Sequence, residues 1–126
     1  MKRIYALRGA VQCENGEEDI IRQVSALYDE LLERNKLEEA DIVSLVFSVT
    51  ADLDALNPAS ALRRSGRGGD LALFAVQEAA ARGAPERIIR VLVHCYLPEG
   101  SVPGHVYRNG AELLRPDRKR EESPPL

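Results

Sequence analysis

The pattern of apolar and polar positions along the chain begins with a short strand and a long amphipathic helix. Residues 3–8 are mostly apolar and are followed by Gly9, which predicts a buried strand that ends at a turn. Asn15, with an acidic residue three positions later, predicts the start of a helix. Apolar residues then recur at the spacing of one buried helix face: Ile20, Val24, Leu27, Tyr28, Leu31 and Leu32.

The middle of the chain predicts further strands and one short helix. Residues 42–50 are rich in β-branched side chains, and Leu45 and Phe47 alternate with serines, as in a half-buried strand. Residues 59–64 predict a short helix, which a glycine-rich loop follows. Two more strands are expected, with a turn or one short helix between them: the strands 70–76 and 88–96, and the connection 78–87.

The end of the chain carries a turn signal and then loses its apolar pattern. Asn109 and Gly110, inside two short extended pieces that span 104–114, predict a hairpin. Residues 118–126 are charged and rich in proline, which predicts a flexible tail after a single domain over 1–117. The order of elements predicts an α+β fold with the helices on one sheet face. Since the other face also needs a cover, we expect a homo-oligomer.

Composition narrows the class of protein. With 126 residues, 44% of them hydrophobic, the chain is long enough for one domain with a core. The net charge of -3 disfavours nucleic-acid binding, which needs an excess of lysine and arginine. No segment predicts a signal peptide or a membrane span, so we expect a cytoplasmic protein with no membrane contact. Cys13 falls in a polar segment, which predicts an exposed, inert thiol.

Two arginines stand inside apolar strands and are the candidates for chemistry. Strand alternation places Arg90 on one face with Leu92 and His94. By the same alternation Arg8 shares its face with apolar residues. A guanidinium buried without a partner is costly, so each arginine needs an acidic partner or an anionic ligand. An ion pair, for example between Arg90 and Glu78, and a ligand site are both compatible with the pattern.

Four local patterns together resemble one enzyme family. In order and spacing they resemble the AroH class of chorismate mutases over about residues 3–117: Leu7-Arg8-Gly9-Ala10, Val76-Gln77-Glu78, Ile88-Ile89-Arg90-Val91, and His105-Val106-Tyr107 with Leu113-Leu114-Arg115-Pro116-Asp117. The resemblance implies a mixed sheet in a homotrimeric pseudo-α/β barrel, with active sites between subunits. It also implies the Claisen rearrangement of chorismate to prephenate in aromatic amino-acid biosynthesis, with neither metal nor cofactor.

The resemblance also implies a role for individual residues. Arg90 would stabilise the ether oxygen and contact a carboxylate, and Arg8 would hold the enolpyruvyl carboxylate. Glu78 would take the ring hydroxyl of the substrate. The same comparison assigns the remaining substrate-binding positions: Tyr107, Arg63, Phe74, Ala75, Leu114, Arg115, Asn57 and Ala59.

Several positions depart from the family pattern. Asn57 stands where an aromatic residue is usual, and Ala75 stands where cysteine or a similar small polar residue is usual. Phe74 replaces a residue that contacts the substrate ring. A related mutase acting on isochorismate or an aminodeoxychorismate is therefore an alternative. A trimeric enamine or imine deaminase, or a ligand-binding module, is a third interpretation, which the order of the family residues disfavours.

Overall fold

The computed structural model describes residues 1–114, and they form one mixed sheet with helices packed on it. The helices are α1 (Glu17–Asn35) and α2 (Pro58–Arg64), and short 3₁₀ turns cover Glu39–Asp41 and Ala111–Leu114. The strands are β1 (Lys2–Gln12), β2 (Ile42–Val49), β3 (Ala72–Gln77), β4 (Ile88–Pro98) and β5 (Val106–Arg108). The predicted tail, 118–126, the domain boundary after 117 and Arg115 lie outside the described residues.

The strands lie in the order β3-β2-β4-β1-β5. The central strand β4 runs antiparallel to both β1 and β2. The outer strands β3 and β5 run parallel to β2 and β1, respectively. The sheet is therefore mixed, and the predicted α+β fold is confirmed.

The hydrophobic core lies between α1 and one face of the sheet. Ile20, Val24 and Leu31 of α1 are each at most 1% exposed, as the helical periodicity predicts. They pack in one cluster with residues of the three central strands, among them Leu7, Phe47 and Val93. Burial of this apolar surface is the main stabilising contribution to the fold. It leaves the opposite face, which we call the open sheet face, without an α-helix among residues 1–114. Of the helical segments described, only the 3₁₀ turn Ala111–Leu114 packs there, against Ala10 and Ile88.

The prediction that Gly9 ends the first strand is wrong. β1 continues through Gly9 to Gln12 and pairs with β4 along its whole length. A Cβ atom at position 9 would lie 3.0 Å from Leu31, 3.1 Å from Leu27 and 3.2 Å from Val91. Glycine at this position allows α1 to cross the sheet closely, and no turn is involved.

Two predictions about the segment between β1 and α1 are also wrong. Asn15 does not cap the helix: the N-cap is Gly16, without a side-chain hydrogen bond. The Asn15 side-chain oxygen instead accepts from the backbone nitrogens of Asp54 and Ala55, at 3.1 and 2.9 Å. Cys13 is only 6% exposed, because it joins the core cluster, and burial raises the pKa of its thiol to about 11.

The predicted hairpin in 104–114 is likewise absent. β5 pairs in parallel with β1, with Gly9 opposite Val106. The turn at Asn109 and Gly110, both with positive φ, leads into the 3₁₀ turn Ala111–Leu114 and not into a second strand. The free edge of β1 lies next to this segment and takes up its backbone hydrogen bonds, a tertiary effect that the local turn signal does not contain.

Two loops remain to be described: the glycine-rich loop after α2 and the connection before β4. The glycine-rich loop after α2 is tied to α1, since Nε and Nη2 of Arg67 each lie 2.7 Å from the Asp29 carboxylate. Residues 78–87 contain a turn and no helix, which settles the two predicted alternatives. Within residues 1–114, neither helix is both long and apolar enough to cross a membrane.

Candidate active site

The two arginines predicted from the sequence project from neighbouring strands on the sheet face without a helix. Arg8 lies in β1 opposite Leu92, and Arg90 lies in β4 opposite Ala10. Tyr107, in β5, is also opposite Ala10. Because side chains alternate along each strand, all three are placed on one side of the sheet. The prediction that Arg90 shares one face of β4 with Leu92 and His94 is confirmed, and this face is more exposed than the one that carries Val91 and Val93.

A cavity of about 260 Å³ lies between these side chains. Arg8, Arg90 and Tyr107 line it together with Ser48 and apolar side chains of the sheet. Its volume is close to the lower end of the range for small-molecule sites. The strand pairing alone therefore brings three predicted site residues around one space.

Glu78 contacts Arg90 directly. The Glu78 Oε2 atom lies 3.2 Å from Arg90 Nε, and the Ser48 hydroxyl donates to Oε1 of the same carboxylate. The Arg90 side chain is 44% exposed and that of Glu78 is 21% exposed. The contact is at Nε, not at a terminal nitrogen. The predicted ion pair is thus present, and the exposed part of the Arg90 side chain remains accessible to a ligand.

A second cavity, of about 310 Å³, adjoins the first at Arg90. Glu78 and Leu114 line it, together with most of the connection 79–86. Leu114 and Tyr107 pack against a small buried cluster of Ala10, Ile88 and Ala111. A 3₁₀ turn stands where the sequence predicted a hairpin, and it brings Leu114 to the same cavity as Glu78 and Arg90.

Hydrogen bonds join the segment that follows β2 to the start of β4, two and three residues before Arg90. The Thr50 hydroxyl oxygen accepts from the backbone nitrogen of Ile88 at 3.0 Å. The Asp52 carboxylate accepts from the backbone nitrogen of Arg87 at 3.1 and 3.2 Å. These bonds fix the first residues of β4 and, through them, the position of Arg90.

Arg8 is anchored through its backbone. The Arg8 backbone nitrogen donates to His105 Nδ1 at 2.9 Å. His105 is 8% exposed and directly precedes β5, so the bond ties β1 to the strand that carries Tyr107. Sequence reasoning assigned no contact to Ser48 and did not link His105 to Arg8. A serine between Phe47 and Val49 and a histidine two positions before Tyr107 were the available signals.

The remaining predicted residues lie away from this pair of cavities within one chain. Asn57 and Ala75 line a third cavity, of about 340 Å³. The Asn57 side chain accepts from the Ala59 backbone nitrogen at 2.8 Å and so caps α2, and Ala59 itself is 8% exposed. Phe74 is 65% exposed on β3, and Arg63 is exposed on α2. One chain therefore does not bring the whole predicted set together.

The charges around the first cavity favour an anion. Arg8 and Arg90 both line it and no carboxylate is among its lining residues, although the chain as a whole has a net charge of -3. The adjoining cavity is lined by Arg90 together with three carboxylates: Asp52, Glu78 and Glu86. A fixed guanidinium can hold two oxygen atoms at once and can stabilise negative charge that develops on a reacting oxygen. The arrangement suits a small molecule that carries carboxylates.

Comparison with known proteins identifies relatives over nearly the whole chain. The family model described as chorismate mutase type I matches residues 4–118. The chain is 32% identical over 117 residues to the chorismate mutase AroH of Bacillus subtilis (strain 168), covering 90% of this chain and 91% of the relative. It is 32% identical over 118 residues to the chorismate mutase AroH of Thermus thermophilus, covering 90% and 95%.

A solved structure has the same fold. The chorismate mutase Cth-682 from Clostridium thermocellum superposes with a TM-score of 0.79 at 38% sequence identity. The alignment covers 86% of this chain and 98% of the solved chain.

Proposed function

Since the chain belongs to the type I chorismate mutase family and is a chorismate mutase, an isomerase of aromatic biosynthesis, we propose that Arg90 and Arg8 carry its reaction. The observation that supports this proposal most directly is the cavity that both arginines line on the open sheet face. Family membership also places the chain among the mutases, so the deaminase interpretation is set aside.

The reaction determines what the site has to do. In the rearrangement of chorismate to prephenate, the ether C–O bond breaks while a C–C bond forms within the same molecule. No proton is transferred, so neither a general base nor a nucleophile is required. The site has to hold the substrate in its compact reactive conformation and stabilise the negative charge that grows on the ether oxygen.

In this proposal Arg90 stabilises that charge. Its Nε atom is held by Glu78, so the terminal nitrogens of the guanidinium can point to the ether oxygen and a substrate carboxylate. A lysine ammonium could not occupy both positions, because it lacks the planar fork. The ion pair with Glu78 is therefore part of the site and does not compete with ligand binding.

The other residues orient the substrate. Arg8 and Tyr107, which share the cavity with Arg90, bind the enolpyruvyl carboxylate. Glu78 accepts the ring hydroxyl, and Leu114 forms an apolar wall of the adjoining cavity. Arg115, which lies outside the described residues, is proposed as a further substrate-binding residue on the resemblance to the family.

The proposal also includes a homotrimer with sites between subunits. The open sheet face carries large apolar side chains that are 42–65% exposed: Ile4, Phe74, Val76 and Tyr96. A second copy of the chain would cover this face. A neighbouring subunit could then supply the predicted residues that lie away from Arg8 and Arg90 in one chain: Asn57, Ala59, Arg63, Phe74 and Ala75.

A modified chorismate is a second candidate substrate. The Asn57 side-chain oxygen is engaged in capping α2, and Ala75 offers no polar side-chain atom to the cavity that they share. Product analysis with chorismate, isochorismate and an aminodeoxychorismate would determine the preferred substrate. We further propose a cytoplasmic location, where the unpaired thiols of Cys13 and Cys95 would stay reduced.

The test of the proposed mechanism measures chorismate turnover by the wild type and by Arg90→Ala. We expect kcat to fall at least about 100-fold, because a preorganised donor to the developing charge is lost. Arg22→Ala, which removes an exposed arginine of α1 paired with Asp19, is the matched control and should retain full turnover. Full activity of Arg90→Ala would show that the mechanism is wrong.

A further inference from the structure

We propose that Ser48 is a positioning residue of this enzyme, which orients Arg90 through Glu78. The inference rests on the proposed role of Arg90. Each oxygen of the Glu78 carboxylate has its own partner: Oε1 accepts from the Ser48 hydroxyl, and Oε2 lies 3.2 Å from Arg90 Nε. The three side chains therefore form one chain of contacts on the open sheet face.

The ion pair spans two strands that are not neighbours. Glu78 directly follows β3, Arg90 belongs to β4, and β2 lies between them in the sheet. Neighbouring strands are about 4.8 Å apart, so the Glu78 side chain has to reach across β2 to meet Arg90. Ser48 occupies the position of β2 directly opposite Arg90. Its hydroxyl thus contacts the carboxylate in the middle of this span.

The backbone contacts of Glu78 do not determine where its carboxylate points. The Glu78 backbone nitrogen donates to the Val49 carbonyl oxygen at 2.8 Å, which holds the main chain to the end of β2. The side chain has three rotatable bonds and is 21% exposed, so water can compete for its oxygens. A hydroxyl that donates to a carboxylate forms a strong, charge-assisted hydrogen bond. With Oε1 held by Ser48, Oε2 faces Arg90 Nε.

This orientation is transmitted to the reacting end of Arg90. A guanidinium is rigid and planar, so a contact that holds Nε also restricts the directions in which both terminal nitrogens can point. Those nitrogens are the ones proposed to meet the ether oxygen and a carboxylate. Ser48 thereby preorganises Arg90 through the Glu78 carboxylate.

The same strand provides a matched control. Ser44 lies four positions before Ser48 on the same face of β2, and its hydroxyl is 3.2 Å from His94 Nδ1. Ser44 does not line the cavity that Arg8 and Arg90 share. Ser44→Ala removes the same atom from the same strand without touching Glu78.

The experiment compares steady-state chorismate turnover of Ser48→Ala, Ser48→Thr and Ser44→Ala. We expect Ser48→Ala to lower kcat about tenfold with KM changed less than about twofold, because the charge that Arg90 stabilises develops only in the transition state. Ser48→Thr keeps the hydroxyl and should recover most of the lost kcat. Ser44→Ala should match the wild type. An unchanged kcat in Ser48→Ala would overturn the inference.

A double-mutant cycle with Glu78→Ala separates positioning from a general structural role. If Ser48 acts through Glu78, Ser48→Ala should cost less than about twofold in kcat once Glu78 is absent. The same tenfold loss in both backgrounds would overturn the inference, since Ser48 would then act independently of Glu78. Full activity of Arg90→Ala and Glu78→Ala would instead overturn the proposed function, so the two failures are distinguishable.

Discussion

Arg8 and Arg90 lie on adjacent strands but are constrained differently. Arg90 is held at its side chain by Glu78, whereas Arg8 is anchored at its backbone by His105. Among residues 1–114, no carboxylate is paired with the Arg8 side chain. Arg8 is thus available for a carboxylate of the substrate that keeps its charge throughout the reaction.

This difference predicts a different kinetic effect for Arg8. We expect Arg8→Ala to raise KM about 10- to 100-fold with a smaller change in kcat, because a charge-assisted contact present in both ground and transition states is lost. Arg3→Ala removes an arginine that stacks on Tyr5 in the same strand, and it should leave both constants unchanged. A fall in kcat without a change in KM would contradict the role assigned to Arg8.

The two cysteines predict how stability depends on pH. Burial raises the pKa of both the Cys13 and the Cys95 thiol from 9.0 to about 11. Above pH 9 the unfolded chain loses these protons while the folded chain keeps them, so the free energy of unfolding falls as the pH rises from 9 to 11. Urea unfolding between pH 8 and 11 measures this fall.

The double variant Cys13→Ala/Cys95→Ala serves as the control for that measurement. Its free energy of unfolding should depend less steeply on pH over the same interval, because neither thiol is present to titrate. Equal slopes for the two proteins would show that the thiols do not contribute.

At the scale of elements, β1 and α1 pack closely together where they cross. Gly9 lies where the methyl groups of Leu27 and Leu31 approach the strand. The apolar pattern along the chain predicted that both elements exist and which residues they bury, because each buries one apolar face, but it placed the end of β1 too early. How closely the two elements approach depends on both of them together, and no local pattern contains this information. The local pattern therefore assigned Gly9 to a turn.

The crossing predicts that Gly9→Ala is destabilising. The added Cβ would overpack the core, and we expect the free energy of unfolding to fall by about 1–3 kcal/mol in urea unfolding. Gly69→Ala is the control, since a Cβ there would meet only a Glu39 side-chain oxygen at 3.9 Å. Unchanged stability of Gly9→Ala would mean that α1 does not lie this close to the sheet.

Other elements show the same limit of local prediction. Asn15 has the side chain of a helix cap, yet its oxygen binds the backbone at Asp54 and Ala55. Asn109 and Gly110 form the expected turn, but the segment before it pairs with β1. In each case a distant part of the chain offers hydrogen-bonding partners that compete with the local ones.

At the scale of the whole molecule, one chain leaves the open sheet face uncovered. Its exposed apolar side chains lie on the same side of the sheet as the arginine pair, and the predicted site residues of α2 and β3 lie outside the cavities that the arginines line. A trimer would resolve both observations, because one contact would bury the face and complete the site.

We therefore expect light scattering to give the mass of three chains for the wild type. Ile4→Asp should dissociate the trimer and abolish chorismate turnover, since it would bury an unpaired charge between subunits. Val102→Asp, at a residue that is 88% exposed outside the strands, should retain both mass and activity. A monomeric wild type with full turnover would contradict the trimer.

The sequence by itself determined the buried faces of the elements and the presence of arginines in apolar strands, because alternation and helical periodicity are local properties. Its resemblance to a family supplied the reaction. Only the tertiary structure decided that Glu78 reaches across β2 to Arg90, and that Ser48 lies beneath that span. Such contacts depend on strand order and register, which are set by the packing of distant segments and not by any one stretch of residues.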